Sequence, residues 1–307
     1  PVTFAKGTVG KVDTSKKYIV TAANPGTLTI NKRSVVLTSE TASKAYDGTA
    51  LEKPVVKVTG DGFVKGEATD IKATGTITNV GSVTNEITFT PVEGKFNANN
   101  YSIEFAPGTL TINPVAEVVV TITGKTETVT YDGSEKTAKG YDVSISNTLY
   151  TANDFNFTGT DSVTKTDAGT YAMGLKAADF TNTSKNFKDV EFVVIDGSLT
   201  IKKREVTLTS GSDKKVYDGT ALTKNEVKVS GDGFADGEGA TYEVTGSQKE
   251  VGKSKNKFTY ELNNNTKAIN YTITTAEGEL EVTPVTAKVT VTITGHTAEA
   301  KYDGKEH

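Results

Sequence analysis

The clearest hydrophobic alternation in the chain is a five-residue run that occurs four times. It reads GTLTI at residues 26–30 and 108–112, GSLTI at 197–201 and GELEV at 278–282. Leu and Ile or Val alternate with Thr, Ser or Glu, the period of a strand with one buried face. The same pattern predicts further strands within residues 34–114, near 35–38, 44–46, 55–59, 71–77, 84–90, 101–105 and 110–112. Only three stretches invite helix: 64–70, its counterpart after Phe234, and 149–155. Each has room for one turn, too little to stand alone. Gly81, Gly169 and Gly252 each precede a strand and read as turn or bulge positions. The pairs Asn100-Tyr101, Asn186-Phe187 and Asn270-Tyr271 read as a left-handed turn followed by a core ring. The fold class expected is mainly β: tandem β-rich modules, sandwich or small α+β, with at most one short helical turn each, in an elongated rod.

A second marker fixes the period. Tyr-Asp-Gly occurs at Tyr46, Tyr131, Tyr217 and Tyr302, at intervals of 85, 86 and 85 residues. Self-similarity at a fixed period is the mark of an array. The residue before the tyrosine varies (Ala45, Thr130, Val216, Lys301). On a strand these neighbours face opposite ways, so the tyrosine faces in. Its ring fills core volume and its hydroxyl reaches a partner near the surface. Asp-Gly is a turn: the carboxylate accepts from a backbone N–H two residues on, and glycine supplies positive φ. A calcium loop would need alternating oxygens closed by a bidentate Glu, and no such run follows any copy.

The true repeat is a pair of modules. LTSETASKAYDGTAL returns as LTSGSDKKVYDGTAL, and KVTGDGFVKGE as KVSGDGFADGE, 171 residues later. These belong to an A-type repeat at 34–114 and again at 205–284. A B-type repeat occupies 115–204. Its ending is echoed in residues 1–33 and its opening in residues 285–307. The junctions are short and leave little reach for hinge motion. Pro114 and Pro284 remove a donor there and stop a sheet from running on. A module of about 85 residues buries only about 60–65% of its unfolded surface. Neighbouring repeats of the same chain are therefore the expected partners.

Composition narrows the function. The net charge of −4, with no basic block, argues against nucleic acid. No apolar run reaches transmembrane length, so membrane insertion is not expected within these residues. The chain has no Cys, which excludes disulfides and suits a bacterial exterior. Residue 1 is Pro with no charged-then-apolar leader after it, so any targeting or anchoring signal is expected to have been removed or to lie outside residues 1–307. The only histidines are His296 and His307, neither repeated with the module. A Ser/His/Asp site needs all three roles within hydrogen-bond reach. No residue is singled out as catalytic, cofactor-binding or metal-ligating, no cofactor is expected, and the chain reads as a non-enzyme. His296 reads as an exposed loop residue. Tyr141, Tyr150 and Phe157 could stack on a glycan, and each also fits a core. Lys202, Lys203 and Arg204 read as a solvated junction. Lys–Asn isopeptide bonds could reinforce a cysteine-free rod, but that pairing is spatial and not written in the sequence.

The combined pattern of YDGT, GDGFVKGE, VG and NNYSIEFAPGTLTINP resembles the MBG/YDG repeats of large bacterial cell-surface proteins. The motifs of residues 115–204 resemble the alternating partner found beside them, notably in gut Firmicutes. The resemblance covers nearly the whole chain. It implies an extracellular β-rich module of sandwich or α+β type, in tandem between an adhesive tip and a wall anchor. It brings no binding residues with it. The role expected is a structural stalk that projects a tip domain from a bacterial surface, wall-anchored through a region outside residues 1–307. The competing roles are a glycan- or host-matrix-protein-binding module of an adhesin, and a surface filament or matrix component.

Overall fold

The structure, a computed structural model, describes residues 27–306. They fall into two compact units. One takes in residues up to Val119 with Ile145–Phe155 and Asn182–Glu191; the other holds Val120–Ser144, Asn156–Thr181 and the described residues from Phe192 onward.

The first A-type segment forms ten strands. They are β1 Arg33–Ser39, β2 Ala42–Ala45, β3 Leu51–Glu52, β4 Val56–Gly60 and β5 Ala68–Ala73. Then follow β6 Thr76–Ile77, β7 Gly81–Asn85, β8 Ile87–Pro91, β9 Tyr101–Ala106 and β10 Gly108–Asn113. β1 and β9 run parallel, Arg33 opposite Tyr101 and Thr38 opposite Ala106. β2 and β10 continue that pairing in register, Ala42 opposite Leu110 and Ala45 opposite Asn113. The opening and closing stretches of the repeat are thus two long parallel strands side by side, each broken once. β4 adds antiparallel to β1, and β7 antiparallel to β10. The alternating positions Val35 and Leu37 on β1, and Leu110 and Ile112 on β10, are almost completely buried. They form the centres of two apolar clusters, one closed by Phe63, Phe89 and Phe96, the other by Tyr46 and Leu51.

The B-type segment gives β11 Val118–Gly124, β12 Thr126–Thr130, β13 Lys136–Lys139, β14 Tyr141–Ile145 and β15 Phe155–Phe157. It continues with β16 Ser162–Lys165, β17 Gly169–Ala172, β18 Phe180–Asn182, β19 Val190–Ile195 and β20 Ser198–Lys202. β12 runs parallel to β20, Thr126 opposite Ser198, and β17 flanks β20 antiparallel. The second A-type segment gives β21 Arg204–Ser210, β22 Asp213–Val216, β23 Val227–Gly231 and β24 Ala240–Val244. Its remaining strands are β25 Gly252–Asn256, β26 Phe258–Leu262, β27 Tyr271–Ala276 and β28 Gly278–Thr283. It repeats the first: β21 is parallel to β27, β22 to β28, and β25 flanks β28. In each of these segments the chain enters at one end and leaves at the other, because first and last strands point the same way.

Where the two long strands break, the backbones come too close for side chains. A Cβ on Gly108 would fall on the carbonyl of Glu40, and one on Gly278 on those of Ser210 and Gly211. This is why a glycine opens the GTLTI run. A buried polar hub holds the break. Ser39 Oγ donates to the Asn85 carbonyl at 2.6 Å and accepts from Gly108 N at 2.8 Å. Asn85 Nδ2 donates to the carbonyls of Glu40 and Lys53, and its Oδ1 accepts from Gly75 N. Ser210, Asn256 and Gly278 repeat the arrangement, except that Asn256 Oδ1 has no partner among the described residues. Gly108→Ala should destabilise its repeat by about 2–3 kcal/mol, the cost of overpacking against rigid backbone. Amide exchange within β1 and β9 reads that loss, and β21 should be unaffected.

Several expectations are corrected. Residues 64–70 hold no helical turn. They make a tight turn at Lys65-Gly66, with Gly66 at φ +84°, and run into β5. The stretch after Phe234 holds none either, whereas 149–155 does form its expected turn, a 3₁₀ turn at Ala152–Asp154. Further 3₁₀ turns occur at Ala98–Asn100, Ala177–Asp179 and Ala268–Asn270. The B-type segment thus carries two. Asn100 and Asn270 close such turns and are not left-handed; among the described residues only Asp70, Glu117 and Asp189 combine positive φ with a side chain. The rings that follow, Tyr101, Phe187 and Tyr271, are buried. The runs at 71–77 and 84–90 each break into two strands, because Asn85 turns into the hub. Residues 27–30 carry no strand, with Leu28 and Ile30 exposed, and residues 285–306 carry none either. Among the described residues neither stretch has a strand to pair with.

Candidate functional site

The Tyr-Asp-Gly motif builds its turn as the residue types require. Thr49 N, Ser134 N and Thr220 N each donate to the carboxylate two residues back, at 2.9 Å, and Lys305 N donates to Asp303 at 3.1 Å. The glycines take φ between +76° and +86°. A lysine closes three of the turns: Lys44 on Asp47, Lys136 on Asp132 and Lys215 on Asp218. The lysine, seconded by the turn hydroxyl and amide, holds these three carboxyls well below the usual range. Each turn is thereby fastened, and its tyrosine is aimed at the end of the repeat.

Tyr131 then reaches the next repeat. It is buried, its ring meets Tyr271 edge-on with centroids 5.7 Å apart, and its Oη donates to Glu238 Oε1. Tyr271 Oη donates to Glu238 Oε2 at 2.9 Å and accepts from Ala235 N at 2.9 Å. One carboxylate so bridges two phenols from two repeats. Arg204 holds the same joint. Its Nε donates to the Gly233 carbonyl, its Nη2 to that of Asp232 and its Nη1 to that of Tyr131. It is a clamp and not the solvated residue expected, whereas Lys202 and Lys203 are exposed. Beside it, the fully buried Asn270 accepts from Ala168 N at 2.7 Å through Oδ1 and donates to Asp167 through Nδ2. Lys267 pairs with Asp167 at 2.9 Å.

The preceding joint uses the same positions with different chemistry. Tyr46 packs edge-on against Phe187, centroids 5.5 Å apart. Phe187 has no hydroxyl, and Tyr150 lies against its ring. Asn186 Oδ1 accepts from Val80 N at 2.9 Å, as Asn270 does from Ala168 N. Val80 and Ala168 are the residues just before Gly81 and Gly169. The asparagine of the Asn-aromatic pair therefore caps the neighbouring repeat's turn. Sequence reading missed this partner, 106 residues away in one joint and 102 in the other. The available signal was that the pair and the strand-opening glycine recur in step.

Burial, then the hydrogen bond and charge of Glu238, push Tyr131 well above the usual phenol range, and Tyr271 is raised by burial first. A raised phenol favours the neutral form in the folded state. Its contribution is complete below the ordinary tyrosine pKa near 10 and is lost as pH rises through the folded value. Absorbance titration at alkaline pH should show late-ionising tyrosines, and Tyr131→Phe should remove one of them, while Tyr271 stays raised by its burial and by Glu238.

The glycan candidates are packing residues. Tyr150 is 2% exposed, donates to the Asp154 carbonyl, and is pushed up to about 12 by burial. Tyr141 and Phe157 are half-buried and meet edge-on, and both contact Phe180. His296 lies exposed in a stretch without strands. Among the described residues no group of three or more His, Asp or Glu could hold a metal ion. No helix there is long and apolar enough to cross a membrane. Residues 118–203 match the family model of the MBG domain, consistent with MBG-type repeats, and MBG domains are repeat domains of surface proteins. No curated protein matches the sequence.

Proposed function

We propose that the chain is a stalk: a series of β-rich repeats that projects an adhesive or other tip domain from a bacterial surface. It acts outside the cell, anchored to the wall through a region beyond these residues, and carries out no catalysis. One observation carries this reading. The opening and closing strands of each repeat are parallel, so the chain leaves each repeat at the end opposite its entry. Joints fastened by Tyr131, Glu238 and Asn270 then resist bending. The match of residues 118–203 to a repeat domain of surface proteins supports it.

A binding role has one feature in its favour. On the β24–β26 ribbon Tyr242 stands opposite Tyr260, over a shallow recess of about 260 Å³ bordered by Glu243 and Glu261. Two adjacent phenol rings are the kind of surface on which a sugar stacks. The two roles separate in a binding experiment with mucin, glycan arrays and matrix proteins. A stalk shows no saturable binding, and Tyr242→Ala with Tyr260→Ala changes nothing. Saturable binding abolished by that pair of substitutions would overturn the stalk in favour of a glycan module.

A further inference from the structure

We infer that the end face of the first A-type repeat, formed by Arg33, Val64, Glu67, Asn100 and Tyr101, is a socket for the Tyr-Asp-Gly end of a B-type repeat. The inference deepens the stalk reading and rests on it. It follows from comparing two copies of one face within the same chain. In the second copy the equivalent residues are Arg204, Ala235, Glu238, Asn270 and Tyr271, and they hold Tyr131 and Ala168 of the B-type repeat.

The first copy has the same internal build. Arg33 Nε donates to the Gly62 carbonyl and its Nη2 to that of Asp61, as Arg204 does to Gly233 and Asp232. Tyr101 Oη donates to Glu67 Oε2 at 2.6 Å and accepts from Val64 N at 3.1 Å, as Tyr271 does with Glu238 and Ala235. Ser34 N and Glu205 N both donate to the aspartate that precedes the glycine, Asp61 and Asp232. The two faces differ in exposure. Val64 is 42% exposed where Ala235 is 4%, and Asn100 is exposed where Asn270 is 0%. A recess of about 300 Å³ lies between Arg33, Val64, Glu67, Asn100 and Tyr101.

The chemistry of the face selects its occupant. Glu67 uses Oε2 for Tyr101, and its Oε1 corresponds to the oxygen that takes the Tyr131 phenol. Arg33 Nη1 corresponds to the donor that takes the Tyr131 carbonyl. Asn100 Oδ1 corresponds to the acceptor of the amide before the strand glycine. A phenol that can donate, an adjacent carbonyl and an unpaired N–H at that spacing are what the B-type end offers. A face ending in Phe, as at Phe187, has no hydroxyl to anchor such a carboxylate.

Cross-linking tests the socket, and the cysteine-free chain makes it unambiguous. In the existing joint a Cβ on Gly133 would lie 3.6 Å from Ala235 Cβ, within the span of a disulfide. Gly133→Cys with Ala235→Cys is therefore the reference. The test chain carries a second copy of residues 115–204 in place of residues 1–33, with Gly133→Cys in that copy and Val64→Cys. A control replaces Val64→Cys by Lys65→Cys. The expected result is a cross-link yield within about twofold of the reference and about fivefold or more above the control. Adding Glu67→Gln with Tyr131→Phe in the inserted copy should lower it. If the reference links while the Val64 pair only equals the control, the socket is refuted and the stalk is not. Gly133 sits at φ +86°, so exchange of the Ser134 amide checks that the turn survives the cysteine; with that turn intact, a reference that also fails to link refutes the docked joint, and the socket with it.

Discussion

Asn85→Ala should destabilise the first A-type repeat by about 3–5 kcal/mol, while Asn256→Ala should cost the second about 1–2 kcal/mol less. Asn85 is fully buried and its side chain satisfies Glu40 O, Lys53 O and Gly75 N. Removing it forfeits three hydrogen bonds, each worth about 1 kcal/mol net, and leaves buried backbone groups unpaired at about 1–3 kcal/mol each. Asn256 donates to Gly211 O and Lys224 O, but its Oδ1 is buried without a partner among the described residues. That orphan oxygen already costs stability, so its removal offsets part of the loss. Several repeats in one chain need not unfold together, so the measurement is amide exchange resolved by repeat. The β1 and β9 amides report on one substitution, the β21 and β27 amides on the other. Equal losses would mean that the hydrogen bond from Gly75 contributes nothing.

Tyr131→Ala should undo the joint between the B-type and second A-type repeats by about 3–5 kcal/mol, the usual cost of deleting a buried aromatic ring. The ring contact with Tyr271 goes, and so does the phenol that shares Glu238. The best reporter is Ala168 N–H, held by the buried Asn270. A loss of 3 kcal/mol speeds its exchange by roughly a hundredfold or more, since about 1.4 kcal/mol is tenfold. The β21 and β27 amides should change little. If they exchange as fast as Ala168, Tyr131 belongs to the core of that repeat and is not a joint residue. Tyr131→Phe should show a smaller effect of the same sign, near that of one hydrogen bond to a charged group, about 1.5–3 kcal/mol.

Much of this molecule is written locally. The Tyr-Asp-Gly turns, their Asx hydrogen bonds and the buried face of each GTLTI-type strand within a whole repeat follow from residue type and spacing. So does the inward tyrosine with its hydroxyl near the surface. What the pattern does not contain is the identity of that hydroxyl's partner. Glu238 lies 107 residues from Tyr131, and nothing local marks it. The hub was half legible: an asparagine sits within an inward-facing strand pattern in both A-type copies, at Asn85 and Asn256. A polar residue in that place is buried only if something satisfies it, which is a reason to look for a structural knot. The Asn-aromatic pairs were read as local turn chemistry because asparagine favours left-handed turns. In the structure the side chain serves the neighbouring repeat instead. Arg204 was read as solvated for the same reason: its acceptors are backbone carbonyls, which no charge pattern reveals.

Small-angle X-ray scattering tests the stalk most directly. A compact globule of 307 residues has a radius of gyration of about 19 Å. Parallel strands over residues 33–45 advance the chain by about 40 Å per repeat, at about 3.3 Å per residue. Three such repeats docked end to end give a rod of about 120 Å and a radius of gyration near 35 Å, with a constant thin cross-section. The account predicts that profile, and predicts that Tyr131→Ala blurs it into that of a hinged chain. A radius of gyration near 19 Å, with the repeats folded back around a common interior, would contradict it.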